Sequence, residues 1–255
     1  MVMQAQAASY SNDFSGTGAN TDLPTETNGS WALSSGTYRS NYNNSETASS
    51  ASIPVPGIAG TNFTITTQFT VAAASTAPIG TGVNTIGFGA LGGNATFSGD
   101  TVPNAFYLAD FSFASGPTAP AIDTGRLRIL SLGDGAGFTG VNTSSNFDGA
   151  TTGFAIQKGV TYTLRLTGTY AGSTLNLALG LFDAAGTTQI GTSATATDTS
   201  PLTGTNFGYR ERTATTTVLD VSYDNLSIVP EPSSALLVGL AGFGLIGIRR
   251  RRRTA

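Results

Sequence analysis

The sequence predicts an all-β fold: an antiparallel β-sandwich of about a dozen strands, followed by one C-terminal hydrophobic helix. Apolar and polar residues alternate in short segments, as in Thr161–Tyr170, which is the pattern of a strand with one buried face. Glycine, serine, threonine and asparagine separate these segments and suit tight turns. No stretch with helical periodicity occurs before residue 230, so a single β domain is expected.

The predicted strands follow from these alternating segments. Pro54 and Pro56 argue against a central strand within residues 40–60. Residues 187–201 are a low-complexity segment rich in threonine and alanine, to which no strand is assigned. In chain order the predicted strands are 9–14, 31–33, 37–39, 63–71, 85–91, 106–113, 126–132, 154–156, 161–170, 175–181, 207–209 and 218–228.

The chain contains no histidine and no cysteine, which excludes several kinds of site. A Ser-His-Asp triad, a histidine general base and histidine-ligated zinc or iron all require histidine. A disulfide framework, a thiolate metal site and a cysteine nucleophile all require cysteine. Stability must therefore come from burial of a core.

The charge distribution disfavours nucleic-acid binding. Before Pro230 the chain has seven basic and fourteen acidic residues, a net charge of −7. A nucleic-acid-binding domain usually carries a basic patch, whereas an acidic body suits a secreted protein. Arg126 and Arg128 alternate with apolar residues in a predicted strand, and we expect their face to be solvated.

The last 26 residues, 230–255, differ in composition from the body. No charged residue lies between Glu231 and Arg249, and the run of 16 residues from Ser233 to Ile248 would form a helix about 24 Å long. That is slightly short of a membrane core, but flanking arginines can extend toward the headgroups. Five arginines favour the cytoplasmic side. The expected membrane residues are Ser233, Ala235, Leu236, Leu237, Val238, Leu240, Phe243, Leu245, Ile246 and Ile248, followed by the basic residues Arg249, Arg250, Arg251, Arg252 and Arg253.

A buried core helix or a plain tail anchor would also contain an apolar run. The five arginines argue against a buried core helix. Pro230-Glu231-Pro232, directly before the run, distinguishes a sorting signal from a plain tail anchor. With this motif, the tail resembles the PEP-CTERM sorting signal of Gram-negative bacteria. The resemblance implies that an exosortase, a membrane protease, recognises the tail and removes it near Pro-Glu-Pro. It also implies a transient membrane anchor and delivery to the cell surface or the extracellular matrix.

Export leads to a hypothesis about the other terminus. Ala5-Gln6-Ala7 has the small-x-small form of a signal-peptidase site, although residues 1–8 carry no basic region and no apolar core. We expect residues 1–8 to be the remnant of a signal peptide. The expected organisation is then this remnant, a β-sandwich at 9–229 and a sorting signal at 230–255.

The order of strands in the body resembles the laminin-G and concanavalin A-like jelly roll. In such modules the concave sheet or its rim loops bind glycans, in some members through calcium, and many members only pack or adhere. The segments that carry the resemblance are Ile86–Gly89, Tyr107–Phe111, Gly125–Leu130, Lys158–Leu181 and Asp220–Ile228.

Enzymatic activity is not expected. Concanavalin-like glucanases carry a Glu-x-Asp-x-(x)-Glu strand, and this pattern does not occur here. The glutamates before Pro230 are Glu26, Glu46 and Glu211, and their spacing gives no pair of carboxylates for glycoside hydrolysis.

Calcium is the one metal for which candidate ligands occur. Asp134, Asp148, Asp224 and Asn225 offer oxygen atoms in predicted turns. Local turn chemistry is the favoured explanation for the first two, and a β-bulge in the last strand is the favoured explanation for the other two.

A glycan-binding face would need exposed aromatic rings. Trp31, Tyr107 and Tyr209 are expected in the core. Tyr38 and Tyr42 lie in a polar stretch and are the candidates for glycan contact.

These observations favour an exported, non-enzymatic surface or matrix protein that adheres or associates with exopolysaccharide. A lectin-like module with a defined glycan site is the alternative, and an extracellular glycan hydrolase is disfavoured.

Overall fold

A computed structural model describes residues 9–16, 31–42, 47–49, 53–73, 75, 85–93, 105–115, 122–132, 138–139, 151–212 and 219–231. Within these ranges the chain forms sixteen β-strands and no helix. The strands are β1 (Tyr10–Asn12), β2 (Trp31–Ser34), β3 (Thr37–Tyr42), β4 (Thr47–Ser49), β5 (Ile53–Pro54), β6 (Phe63–Val71), β7 (Thr85–Gly92), β8 (Phe106–Ser115), β9 (Ile122–Leu132), β10 (Phe138–Thr139), β11 (Thr151–Gln157), β12 (Thr161–Ala171), β13 (Thr174–Asp183), β14 (Gln189–Asp198), β15 (Asn206–Arg212) and β16 (Leu219–Pro230).

The strands form two antiparallel sheets. In the described part of the chain, the nine-stranded sheet has the order β10-β14-β13-β12-β6-β16-β3-β2, and β1 pairs with β16 beyond the end of β3. The seven-stranded sheet has the order β11-β9-β8-β7-β15-β4, and β5 also pairs with β15. The predicted antiparallel sandwich is therefore confirmed.

The core lies between the two sheets. Strand β6 alternates strictly, with every odd residue from Phe63 to Val71 buried. Aromatic rings join the sheets: Tyr209 of β15 stacks on Tyr223 of β16 with ring centroids 4.1 Å apart. The Tyr209 hydroxyl also lies 2.7 Å from Thr67 Oγ1 on β6. Aromatic pairs of this kind add about 0.5–1.5 kcal/mol each beyond simple burial.

The seven-stranded sheet is buried on its outer face as well. All residues of β7 are buried, on both faces of the sheet. Phe106, Leu108, Leu130 and Leu132 form a second apolar cluster, separate from the main core. The expectation of a solvated face on β9 is therefore wrong for Arg128, which is 3% exposed, while Arg126 is partly exposed. The prediction followed the alternation of one strand, which cannot reveal a sheet covered on both faces.

Two turns between neighbouring strands contain residues with positive φ. Ser35 and Gly36, between β2 and β3, have φ values of 54° and 79°, as a type I′ turn requires. Gly172, between β12 and β13, has a φ of 66°.

The sequence did not predict the strand β14. Its inward side chains are small, including Ala194 and Ala196, and its outward ones are threonines, so the contrast between its faces is weak. Residues 40–60 contain the short strands β4 and β5. Pro54 pairs with Asn206 at the edge of the seven-stranded sheet, which agrees with the exclusion of proline from central strands.

Strand β16 ends the described chain. It lies between β6 on one side and β3 and β1 on the other. None of the described residues forms a helix long and apolar enough to cross a membrane. The predicted helix at 233–248 lies outside the described residues.

Candidate functional site

The end of β16 positions the sorting motif. Pro230 is buried and pairs with Phe63 of β6, and Glu231 is exposed. The Glu231 backbone N–H donates to the Asn62 carbonyl oxygen at 2.7 Å. Thr64 Oγ1 donates to Glu231 Oε1 at 3.3 Å. The described chain is therefore held to the nine-stranded sheet through Glu231, and no linker separates β16 from this residue.

A second group of functional interest lies on the outer face of the seven-stranded sheet. Residues directly opposite on neighbouring strands share a face, so the pairing of β15, β7, β8 and β9 defines two adjacent rows. We call these rows the arginine face. They are Arg210-Gly87-Asp110-Arg128 and Arg212-Thr85-Ser112-Arg126.

The centre of the arginine face is a buried ion pair. Arg128 Nε donates to Asp110 Oδ1 at 2.7 Å, and Arg128 Nη2 donates to Asp110 Oδ2 at 2.5 Å. The exposed side-chain fractions are 4% for Arg128 and 0% for Asp110. Such a two-pronged, charge-assisted contact fixes both side chains.

The glycine in the first row allows its strands to approach. A Cβ atom on Gly87 would lie 2.2 Å from the Ala109 carbonyl oxygen and 2.7 Å from the Asp110 Cα. Any other residue would push β7 away from β8 beside the Asp110–Arg128 pair.

The arginine face concentrates basic side chains of an acidic body. It carries four guanidinium groups and one carboxylate, Asp110. Arg126 and Arg212 are partly exposed, whereas Arg210 is buried. Burial lowers the pKa of Arg126, and the neighbouring charge of Arg128 lowers it further. The arrangement is therefore suited to an anionic group at the partly exposed row.

The opposite, inward face of β15 carries a buried carboxyl group that the sequence did not indicate as special. Phe207, Tyr209 and Glu211 all point into the sandwich, following the period of two. Ser40 Oγ donates to Glu211 Oε2. Burial raises the pKa of Glu211 to about 8, and the hydrogen bond from Ser40 and the nearby Tyr223 hydroxyl partly offset this rise. The alternation of Phe207, Tyr209 and Glu211 would have indicated this position if the predicted strand had been extended from Tyr209 to Glu211.

The prediction that Tyr38 is a surface ring for glycan contact is wrong. Tyr38 is 0% exposed and stacks between Trp31, at 5.1 Å, and Phe14, at 5.5 Å. Tyr38 and Ser40 alternate inward along β3, while Arg39 points outward to Asp220. Polar neighbours therefore concealed a core position.

The structure describes the side chains of three of the four remaining aromatic candidates. Trp31, Tyr107 and Tyr209 are buried, as expected. Tyr42 belongs to β3, but its side chain lies outside the described residues.

The four calcium candidates fall partly outside the described residues. Asp134 and Asp148 lie outside the described residues. The pairing of β16 with β6 shifts between Asp224 and Ser227, and Asn225 has a φ of 48°, which confirms the bulge. The amide group of Asn225 donates to Gln68 Oε1 at 2.8 Å, and its backbone N–H donates to Asp224 Oδ1 at 2.7 Å. Burial raises the pKa of Asp224.

Asp110 and Glu211 lie on opposite faces of the seven-stranded sheet, so they cannot flank one sugar. Across the described ranges, no three acidic side chains are grouped closely enough to hold a metal ion.

Comparison with known proteins agrees with this geometry. Residues 229–253 match the PEP-CTERM protein-sorting motif, which confirms the resemblance carried by Pro230-Glu231-Pro232 and indicates an exosortase substrate. No curated protein matches the chain.

Two solved structures show the fold of the body. The alginate lyase Aly36B is similar over 88% of this chain and 97% of its own, with a TM-score of 0.51 and 15% identity. Peanut lectin with a nine-residue peptide is similar over 90% of this chain and 100% of its own, with a TM-score of 0.50 and 11% identity. The body thus has the predicted lectin-like jelly-roll fold, and identities this low show the fold alone.

Proposed function

We propose that the protein is exported, is released from its C-terminal tail by an exosortase, and then associates non-enzymatically with an acidic exopolysaccharide at the cell surface or in the extracellular matrix. The match at residues 229–253 supports the sorting step. The first two matched residues, Val229 and Pro230, belong to β16, so the sorting motif follows the body directly.

The proposal of an acidic polysaccharide ligand rests on the arginine face. Four of the seven basic residues before Pro230 lie there, on a body with a net charge of −7. Arg126 and Arg212 are partly exposed at the two ends of one row, four strands wide and so about 14 Å long at the usual strand spacing. Guanidinium groups bind carboxylates in a two-pronged geometry, as uronic acid units would require.

A lectin-like module with a defined neutral glycan site is the second candidate. The lectin-like fold supports it, but Tyr38, one of the two rings proposed for stacking on sugars, is buried. Glycan-array binding separates the candidates: the arginine face predicts binding to acidic polymers that weakens with salt. Saturable, salt-independent binding to one neutral sugar would favour the lectin.

Mass spectrometry of the mature protein tests the sorting step. We expect the recovered protein to lack Arg249–Arg253 in cells that contain an exosortase and to retain them in cells without one. A released protein that still carries all five arginines would refute processing.

Binding of the mature protein to an acidic polysaccharide tests the arginine face. We expect Arg126→Gln with Arg212→Gln to weaken binding by about a hundredfold or more, since each of the two lost charge-assisted contacts is worth roughly 1.5–3 kcal/mol. Arg165→Gln is the matched control, because Arg165 lies on the nine-stranded sheet over the Phe182 ring. Equal binding by all variants would refute the site, and chain cleavage by the purified protein would refute the non-enzymatic assignment.

A further inference from the structure

The hairpin of β2 and β3 forms one edge of the nine-stranded sheet. In the described chain β2 pairs only with β3, and β3 joins the rest of the sheet through five residues of β16, Leu219–Tyr223. The Arg39–Asp220 ion pair also links β3 to β16, but it is partly exposed, and such pairs stabilise little. Strand β16 is paired with β6 on its other side as well. The hairpin is therefore the part of this edge that is easiest to detach.

One side chain of the opposite sheet fastens the hairpin to the core. Glu211 of β15 points into the sandwich and is 0% exposed, and it accepts a hydrogen bond from Ser40 of β3. Trp31 of β2 lies opposite Ser40 and stacks on Tyr223, whose hydroxyl lies beside Glu211. Strand β15 itself is held on both sides, by β7 and by β4. Detaching the hairpin therefore opens the core beside Glu211 and leaves β15 in its sheet.

The surroundings of Glu211 favour the neutral carboxyl group. None of the ion pairs among the described residues includes Glu211, and burial of a charge without a counterion is costly. Arg39 is paired with Asp220 on the outer face of its sheet, and Arg210 and Arg212 belong to the arginine face, on the other side of β15. The titratable and charged groups of β3, β16 and β15 around Glu211 are Tyr38, Arg39, Asp220, Tyr223, Tyr209, Arg210 and Arg212.

We propose that Glu211 is a pH-sensitive latch: with its proton it keeps the β2–β3 hairpin closed, and loss of the proton releases the hairpin while the rest of the sandwich stays folded. The closed state holds the proton up to the raised pKa of about 8. In the open state the carboxyl group reaches water, and its ordinary pKa of 4.5 applies. Opening therefore releases a proton throughout this interval, and the open population rises about tenfold per pH unit until it levels off above the closed-state pKa.

Release of the hairpin uncovers aromatic rings from both sides of the contact. Trp31 and Tyr38 leave with the hairpin, whereas Tyr209 and Tyr223, on which Trp31 stacks, stay with the sandwich. Aromatic rings with a polar tip are enriched at binding interfaces. The latch thus couples the pH of the surroundings to exposure of an aromatic surface.

Hydrogen–deuterium exchange of the full-length chain in detergent, read by mass spectrometry at a series of pH values, tests the latch. Rates are divided by the intrinsic rate at each pH to give protection factors. We expect residues 31–42 to be less protected than β12 and β13 in the sheet interior, and their protection to fall about tenfold per pH unit between pH 5 and pH 8. The chain has no histidine, the side chain that ordinarily titrates in this range.

Three variants assign the proton. Glu211→Gln still accepts from Ser40 but cannot ionise, so the protection of the hairpin should be constant across this range. Glu231→Gln is the matched control, because Glu231 is exposed and contacts Thr64 instead of the hairpin, and the tenfold slope should remain. Ser40→Ala removes a hydrogen bond that lowers the Glu211 pKa, so the decline should continue above pH 8. The wild type and Ser40→Ala carry the test if Glu211→Gln does not fold.

Three results would overturn the latch. Hairpin protection that stays constant between pH 5 and pH 8 in the wild type would show that opening leaves Glu211 covered. Protection equal to that of β12 and β13 at every pH would show that the hairpin opens only when the whole domain unfolds. A slope that persists in Glu211→Gln would assign the proton to another group.

Discussion

Replacement of Glu211 by glutamine changes the charge of one core group while keeping its shape. The Glu211 side chain lies between the sheets, where Ser40 donates a hydrogen bond to it and the Tyr223 hydroxyl lies alongside. Burial raises its pKa from the ordinary value of 4.5 to about 8, and the negative charge of Asp220 adds to the shift. Glutamine still accepts from Ser40 but never ionises.

The stability of the wild type should therefore fall with rising pH. Below pH 4.5 both the folded and the unfolded chain hold the Glu211 proton, and the contribution of this group is fully present. Between pH 4.5 and about 8 the unfolded chain releases the proton and the folded chain keeps it. The free energy of unfolding then falls by about 1.4 kcal/mol per pH unit, and above the folded pKa the loss is complete. By pH 7 the loss amounts to about 3 kcal/mol.

Urea unfolding at a series of pH values measures this effect. Trp31 is the single tryptophan and is buried against Tyr38 and Tyr209, so its fluorescence reports loss of the core. We expect Glu211→Gln to remove most of the decline between pH 5 and pH 8. Ser40→Ala should extend the decline to higher pH, because the Ser40 hydrogen bond lowers the Glu211 pKa. Parallel pH profiles for the wild type and Glu211→Gln would refute a buried, neutral Glu211.

Three further predictions concern stability at a fixed pH. Asp110→Asn should lower the free energy of unfolding by about 3–5 kcal/mol, because it leaves the buried Arg128 charge without its counterion. Arg39→Gln breaks a partly exposed ion pair and should lower it by no more than about 1 kcal/mol in the same urea titrations. Gly87→Ala should lower stability by about 1–3 kcal/mol or prevent folding, since its Cβ would lie 2.2 Å from the Ala109 carbonyl oxygen. Gly93→Ala is the control, because there is open space around Gly93. Equal melting temperatures for the two variants would contradict the close approach of β7 and β8. Tyr209→Phe should cost about 1 kcal/mol through loss of the hydroxyl contact to Thr67, and a Thr67→Val background should abolish that cost if the contact is its cause.

The fold was predictable where large apolar residues alternate with polar ones. The bounds of β6 follow from Phe63, Ile65, Phe69 and Val71, because those side chains fill the core and the threonines between them do not. Strand β14 was hidden, since its inward alanines differ little from its outward threonines in hydropathy. Single-strand patterns also assume one solvated face, and this assumption fails for β9, where the outer face is buried too.

The candidate site was also only partly predictable from the sequence. The sorting motif is local in sequence, so Pro230-Glu231-Pro232 could be recognised without any structure. The arginine face depends on strand order: Arg128 and Arg210 lie 82 positions apart in the chain, and only the pairing of β15, β7, β8 and β9 places them in one row. Whether Tyr38 points inward or outward likewise depends on which face of β3 meets the core. Its polar neighbours in the sequence suggested a surface position, but the side chain is buried.

The position of β16 links the fold to the order of events in export. It is the last strand in the described chain, yet it lies inside the nine-stranded sheet, between β6 and the strands β3 and β1. Until the chain up to Pro230 has been translocated, β6 has no partner on that side and the core residues Tyr223, Leu226 and Ile228 are missing. A sheet that lacks an internal strand leaves backbone groups of its neighbours unpaired and apolar side chains exposed, both of which are costly. The body therefore completes its fold only after β16 has been translocated, together with Val229 and Pro230, the first two residues of the sorting motif.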